Sequence, residues 1–206
     1  MARPLTPKLS ADMIATSALA LVDRDGEFTI PALAKQLRVS ASSLYNHVNG
    51  KAEIVDLMRG HAISRVQFPG REAHWAETIR AIAVEYRNTF ARHPRLIPLI
   101  TAYSVSDETT IRMYNAMADA FHEAGFTPKR TLEAITVVDS FVLGSALDVA
   151  APEQVWDPGE DANGNLQLAV DAGLGYPTRA DEAFHYGLNL LIEGFSREAA
   201  QRSAGG

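Results

Sequence analysis

Apolar residues along the chain recur mostly at intervals of three and four, the spacing of one face of an α-helix. The first such run covers residues 11–22, with Ser10 able to cap it and Gly26 able to end it. Residues 151–178, rich in Pro, Gly, Asn and Asp, are the least regular region. No segment alternates in the manner of a strand, so the chain is predicted to be all-α. Long C-terminal helices are predicted at about residues 75–91, 94–103, 107–124, 128–150 and 179–200.

Residues 29–47 have the outline of a helix-turn-helix. A first short helix ends at Leu37, a turn follows, and Ser40 can cap a second helix over about residues 41–47. The outer side of the second helix collects hydroxyl, amide and imidazole groups, which suit contacts with base edges or phosphates in a major groove. The same pattern would also fit a polar surface helix in any α-helical protein. The candidate DNA-binding residues are Ser42, Ser43, Asn46 and His47, with Tyr45 nearby and Lys51 as a partner for phosphate.

Charge is divided unevenly along the chain. The net charge is −6, but residues 1–66 carry eight Lys and Arg against six Asp and Glu, a balance of +2. The remainder carries eleven against nineteen, a balance of −8. A mildly basic N-terminal part on an acidic remainder is weakly indicative of DNA contact by the N-terminal part alone.

Several function classes find no support in the sequence. There is no cysteine, so disulfides and thiolate zinc sites are excluded, and nothing points to secretion. The most apolar stretch is interrupted by Asp139 and Asp148, which predicts a buried helix rather than a membrane span. Nucleotide-binding glycine motifs, a nucleophile elbow and paired histidines are absent, so we expect no catalytic residues, no cofactor and no metal site. The expected location is the cytoplasm. A helical small-molecule-binding protein or enzyme without DNA function is the alternative.

One N-terminal run of the chain resembles the N-terminal domain of the tetracycline repressor family, namely ALALVDRDGEFTIPALAKQLRVSASSLYNHVNGKAEIVDLM. Within it, LYNHV followed by NGK matches the sequence pattern at which the recognition helix ends in that family. Three later runs resemble the ligand-binding part of the tetracycline-repressor branch, namely HWAETIRAIAVEYRNTFARHP, GFTPKRTLEAITVVDSFVLG and FHYGLNLLIEGF. The resemblance covers most of the chain apart from residues 151–178 and the termini.

This resemblance implies a dimeric transcriptional repressor. Its three-helix DNA-binding head would comprise residues 1–66, and its ligand-binding and dimerisation body residues 67–206. Pro69 and Gly70 independently predict a break in the helix at this boundary. Two heads would occupy successive major grooves, about 34–36 Å apart, on near-palindromic double-stranded operator DNA. By position, the residues that match the family's DNA contacts are Thr29, Ser43, Tyr45, His47 and Lys51.

Two departures from the family pattern lie in the head. Pro31 stands where the tetracycline repressor has a base-reading arginine, so a different operator is expected. Arg38 stands where glycine is usual in the turn. If position 38 takes a positive φ angle, arginine costs about 1 kcal/mol relative to glycine.

The resemblance also implies a pocket in the body for a small-molecule effector. Ile82 and Ile100 replace groups that bind the drug and its magnesium, so we expect no tetracycline binding through the same contacts. An apolar or aromatic effector suits the remaining side chains. Asp139, flanked by apolar residues, either accepts a hydrogen bond or cation from the effector or pairs with an Arg or Tyr of the fold. The predicted lining residues are Gln67, Ile82, Tyr86, Ile100, Tyr114, Met117, Ile135 and Asp139.

Two body helices carry apolar stripes that the resembled family uses to form a four-helix homodimer interface. Intramolecular packing of the same stripes is the alternative. His61 lies on the helix that joins head to body, which in that family transmits ligand binding by tilting. The stripes contain Phe184, Gly187, Leu188, Leu191 and Phe195 in the last helix, and Leu132, Ile135, Val138, Val142 and Ala146 in the helix at 128–150.

Overall fold

The computed structural model describes residues 9–64, 66, 73–152, 155–157, 159–173 and 178–203. These residues form helices and no strand, which confirms the all-α prediction. Short 3₁₀ turns lie at Pro94–Leu96 and Gly159–Asp161. The α-helices are α1 (Ala11–Asp25), α2 (Ile30–Leu37), α3 (Ala41–Tyr45), α4 (Lys51–Ile63), α5 (Trp75–Ala91), α6 (Ile97–Ile100), α7 (Glu108–Glu123), α8 (Pro128–Val149), α9 (Gly164–Gly173) and α10 (Arg179–Ser203).

Local capping fixes the ends of the first helices as predicted. The Ser10 hydroxyl accepts the backbone N–H of Met13 at 3.2 Å and begins α1. Gly26 ends that helix with a φ of +83°, in the left-handed region that glycine adopts without strain. The Thr29 hydroxyl accepts the N–H of Ala32 at 3.2 Å and begins α2.

The turn between α2 and α3 is left-handed at Arg38. Arg38 has a φ of +57° and a ψ of +39°. Among the residues that the structure describes, it is the only non-glycine residue with a positive φ. The N–H of Val39 donates to the carbonyl of Ala34 at 3.0 Å, which closes the end of α2. The conformation that glycine usually supplies is therefore adopted by arginine, at a cost of about 1 kcal/mol.

The head and the body share one continuous hydrophobic core. Helix α1 packs on α2 and α4, and α4 also contacts α5, α6 and α7. Ile54, Val55 and Met58 of α4 are fully buried, so this helix lies between the two parts of the molecule. In the body, α5 packs against α7, α8 and α10.

Three predicted elements differ in detail. The helix expected at 41–47 ends at Tyr45. The segment expected as one helix over 94–103 is the Pro94–Leu96 3₁₀ turn followed by the single turn of α6, because prolines at positions 94 and 98 each remove a backbone donor. The irregular region contains α9, whose residues are all at least partly exposed.

Candidate DNA-binding surface and effector pocket

Helix α3 is buried on the side that packs against the head and exposed on the other side. Leu44 has 0% exposure and Val48, just past the helix, has 2%. Tyr45 keeps 55% of its surface exposed. A five-residue helix is too short to be stable by itself, so these buried contacts hold it in place. Of the other predicted DNA-binding residues, Ser43 is half-buried, and Thr29, Ser42, Asn46, His47 and Lys51 are exposed.

The serines of α3 form a small hydroxyl cluster at its first turn. The Ser40 hydroxyl accepts the N–H of Ser43 at 3.1 Å and so caps the helix. The same oxygen lies 2.8 Å from the Ser42 hydroxyl and 2.9 Å from the Ser43 hydroxyl. Ser42 and Ser43 are thus tied to the start of the helix, and the longer side chains beyond them form its outer tips.

Asn46 and His47 lie in the turn after α3 rather than in the helix, which corrects the predicted 41–47 span. Hydrogen bonds to a residue of α4 hold this turn in place. The backbone N–H and side-chain amide of Asn49 both donate to Glu53, at 2.7 and 2.9 Å. Sequence analysis did not single out Glu53, although an acidic residue in the first turn of a helix is a known capping signal.

Lys51 is the first residue of α4, and its ammonium group lies 5.2 Å from the centroid of the Phe28 ring. Phe28 is 2% exposed and precedes Thr29, the cap of α2. This cation–π contact places the lysine charge beside the start of the helix-turn-helix.

A buried arginine joins α4 to the body. Arg59 is 2% exposed, and its guanidinium donates to the Asp56 carboxylate at 2.7 Å. It also donates to the backbone carbonyls of Ile100 at 2.6 Å, Tyr103 at 3.1 Å and Ser104 at 3.4 Å. A planar guanidinium can serve several acceptors at once, which a lysine in this position could not do.

Asp56 completes this cluster from the opposite side. Its carboxylate accepts the backbone N–H of Ser106 at 3.1 and 3.2 Å and also the Ser106 hydroxyl. Helix α4 is therefore hydrogen-bonded at two points to the loop between α6 and α7. Sequence analysis missed both residues, though two charges three positions apart on a largely apolar helix were a usable signal.

Two histidine–carboxylate pairs hold α1 to its neighbours. Nδ1 of His61 in α4 lies 2.9 Å from Asp12 near the start of α1. Nδ1 of His93, after α5, lies 2.9 Å from Asp23 near the end of α1. Arg95 adds a hydrogen bond of 2.5 Å to the carbonyl of Arg24. His61 is thus a link between head helices, and both ends of α1 are fixed.

Three of the predicted pocket residues meet in one polar cluster. Asp139 in α8 accepts the hydroxyl of Tyr86 in α5 at 3.0 Å and that of Tyr114 in α7 at 2.7 Å, both on Oδ1. Of the two roles expected for Asp139, pairing with tyrosines of the fold is observed. Gln67 lies outside the described residues. Among the rest of the set, Ile82, Ile100 and Met117 are buried, and Ile135 is half-buried.

The two hydroxyls of this cluster hold their protons tightly. Burial raises the pKa of Tyr86 well above its ordinary value, and the Asp139 charge raises it further. The pKa of Tyr114 is raised for the same two reasons, burial first. Both tyrosines therefore act as hydrogen-bond donors to the carboxylate over the whole physiological range of pH.

Helices α8 and α10 each carry buried apolar residues and exposed apolar residues. The predicted stripe of α10 turns inward, since Phe184 is 2% and Leu188 0% exposed. Gly187 allows this packing, because a Cβ there would lie 2.7 Å from the Phe141 ring of α8. The intramolecular alternative therefore holds for these residues. Leu132 of the predicted α8 stripe is instead exposed, and so are Val137, Leu147 and Val149 in α8 and Tyr186 and Leu190 in α10.

Two other kinds of site were sought in the described residues. No group of three or more His, Asp or Glu side chains there is arranged to hold a metal ion. Within the same residues, no helix has the length and apolar character needed to cross a bilayer.

Known proteins resemble this chain in both sequence and fold. The chain is 30% identical over 200 residues to an HTH-type transcriptional repressor of Mycobacterium tuberculosis, covering 86% of this chain and 76% of that protein. It is 25% identical over 202 residues to the class E tetracycline repressor protein of Escherichia coli, covering 95% and 94%. Apo ActR from Streptomyces coelicolor shares the fold with a TM-score of 0.74 at 21% identity, over 95% of this chain and 99% of that chain.

The sequence of the body matches a known family. A family model described as "Tetracyclin repressor-like, C-terminal domain" matches residues 68–198, which is well over half of the chain. This region contains the three helices that supply the Tyr86–Asp139–Tyr114 cluster and the two helices with exposed apolar residues. The chain therefore belongs to the tetracycline repressor-like family of transcriptional regulators.

Proposed function

We propose that this protein is a ligand-responsive transcriptional repressor that binds a near-palindromic operator as a homodimer and is released from it by a small effector. The observation that carries the proposal is the exposed polar surface of α3 and its following turn, held in place by the buried Leu44. A surface built for packing alone would not project a tyrosine, an amide and an imidazole together from so short an element.

The proposed DNA contacts divide into two kinds. Tyr45, Asn46 and His47 form the outer tips of the surface and would read base edges in a major groove. Thr29 and Lys51 lie at the starts of α2 and α4 and would contact phosphates. The proposed head, residues 1–66, and body, residues 67–206, keep the division expected from the sequence.

The proposed homodimer uses the exposed apolar residues of α8 and α10. Leu132 and Tyr186 are 67% and 69% exposed, and Leu190 is 51% exposed. Large apolar side chains exposed together on two neighbouring helices are typical of a protein–protein contact. A twofold pairing of these helices would present two heads to successive grooves of the same duplex.

The proposed effector pocket lies among α5, α7 and α8. Structural neighbours have been solved with small molecules bound, including a tetracycline-repressor variant from Acinetobacter baumannii in complex with minocycline, which shares 24% identity and a TM-score of 0.70 over 93% of this chain and 99% of that chain. Here Ile82 and Ile100 offer no lone pair to a ligand, so an apolar or aromatic effector other than tetracycline is proposed. The site would work in the cytoplasm, where the operator is.

Selection of bound duplexes from a random DNA pool tests the proposal. The expected product is an inverted repeat whose half-sites are centred about one helical turn apart. Binding to it should weaken steeply between two salt concentrations. A helical small-molecule-binding protein or enzyme without DNA function is the second candidate, and it would enrich no sequence and show no steep salt dependence.

A further inference from the structure

Only one oxygen of the Asp139 carboxylate is hydrogen-bonded within the described part of the chain. Its Oδ1 accepts two hydrogen bonds, from Tyr86 and Tyr114, whereas Oδ2 accepts none from any residue that the structure describes. Asp139 also takes part in no ion pair among those residues. Hydrogen bonds from two neutral hydroxyls supply no positive charge to pair with this carboxylate.

Two buried arginines of the surrounding helices make their charged contacts elsewhere. Arg59 in α4 is bound to Asp56 and to backbone carbonyls of the α6–α7 region. Arg87, next to Tyr86 in α5, donates to Asp181 at 2.7 Å and lies 4.6 Å from the Phe184 ring. Neither guanidinium forms a hydrogen bond with Asp139. A partly buried carboxylate without a cation is costly, unless a bound molecule supplies the positive charge.

The residues around Asp139 indicate what kind of molecule would supply the positive charge. Asp139 is half-buried, whereas Ile82 and Met117, which lie one helical turn from Tyr86 and Tyr114, are buried and apolar. The two tyrosine rings can also attract a cation through their faces. An anionic ligand would meet the carboxylate with like charge and is disfavoured.

We propose that the effector is an organic cation, a small molecule with a protonated amine beside an apolar or aromatic body, whose N–H donates to Oδ2 of Asp139. This inference rests on the proposed function only in placing the effector between α5, α7 and α8. Tyr86 and Tyr114 then act as positioning residues, because they orient the carboxylate and leave one oxygen for the ligand.

The experiment compares three matched pairs of probes by calorimetry, without DNA. Each pair has a dimethylaminomethyl arene, protonated at neutral pH, and its isobutyl arene, in which CH replaces NH⁺; the arenes are benzene, naphthalene and anthracene. In at least one pair the amine should bind about tenfold more tightly or better, as a charge-assisted hydrogen bond predicts. Asp139→Asn should abolish the preference. Asp119→Asn, which alters an exposed aspartate of α7, should retain it.

Other results would overturn the assignment. These are equal affinities within every pair, tighter binding of the neutral members, no binding of any probe, or a preference that survives in Asp139→Asn. If Asp139→Asn fails to fold, Tyr86→Phe serves instead; the amine preference should shrink, because the carboxylate loses one of the two hydrogen bonds that orient it, and an unchanged preference would contradict the assignment. Because no operator is used, failure of DNA binding leaves this result standing, and failure here leaves the DNA-binding proposal intact.

Discussion

The guanidinium of Arg59 donates a 2.6 Å hydrogen bond to the carbonyl of Ile100, so a side chain of α4 ends on the last residue of α6. Ile100 is also one of the predicted pocket residues. A displacement of α6 by an effector would therefore act on α4, and through α4 on the head. The bond gives the proposed coupling between ligand and DNA a defined physical route.

Arg59→Met should lower the free energy of unfolding by about 3–5 kcal/mol, because it leaves Asp56 buried without its cation. Chemical denaturation measures this change. Arg112→Met is the matched control, since Arg112 forms an exposed ion pair with Glu108, and it should cost at most about 1 kcal/mol. Similar losses in the two variants would show that the Arg59 cluster does not join α4 to the body.

Gly60→Ala should push α4 away from the start of α7. A Cβ at position 60 would lie 2.7 Å from Oδ1 of Asp107, the residue that caps α7 by accepting the N–H of Thr110 at 2.8 Å. Overpacking of this kind costs about 1–3 kcal/mol. Thermal unfolding should show the loss, and operator affinity should fall with it.

The double variant Gly60→Ala, Asp107→Ser provides the control for steric conflict. Serine is shorter than aspartate and still caps a helix. Most of the lost stability should therefore return. If the double variant is no more stable than Gly60→Ala alone, the conflict with Asp107 is not the cause.

Much of the head could be predicted because its signals are local. Ser10, Thr29 and Ser40 cap helices within three residues of themselves, and Arg38 takes the conformation of the glycine that it replaces. The end of α3 was placed two residues too late. The turn after α3 is held by hydrogen bonds from Asn49 to Glu53, which lies outside the predicted helix and so gives no local signal for its end.

The links between head and body could not be predicted in the same way. Arg59 meets the carbonyl of Ile100 across 41 positions of sequence, and backbone carbonyls carry no residue-specific signal. The pairing of Asp139 with tyrosines was one of two expected roles, and only the packing of α5, α7 and α8 brings Tyr86 and Tyr114 to it.

Alkaline titration should reveal the tyrosine cluster. A raised pKa means that the folded state keeps protons that the unfolded state releases from about pH 10. The stabilisation is therefore complete below that pH and is lost as the pH rises further. Tyrosinate absorbance should show a late fraction that Tyr86→Phe and Tyr114→Phe each reduce.

The control for this titration is Tyr45→Phe, whose hydroxyl lies on the proposed DNA-binding surface and outside the cluster. It should leave the late fraction unchanged. A late fraction that is unaffected by both cluster variants would mean that the two hydroxyls do not share the Asp139 carboxylate.

Lys51→Ala and Asn46→Ala should weaken DNA binding in different ways. Loss of the lysine removes a phosphate contact, so all sequences should bind less tightly and the salt slope should fall by about 1. Loss of the asparagine should instead relax the preference at one base pair of each half-site, by about 1–3 kcal/mol.

Binding assays with a panel of single-base operator variants distinguish these effects. Lys129→Ala, an exposed lysine at the start of α8, is the matched control and should change neither affinity nor preference. A base preference unchanged in Asn46→Ala would remove that residue from the proposed base-reading set.

Hydroxyl-radical footprinting of the selected duplex tests the central claim most directly, because it reports where the chain covers DNA. We predict two protected patches on one face of the duplex, centred about 10–10.5 base pairs apart. Even cleavage along the whole duplex at saturating protein, or a single protected patch, would contradict a paired α3 surface seated in successive major grooves.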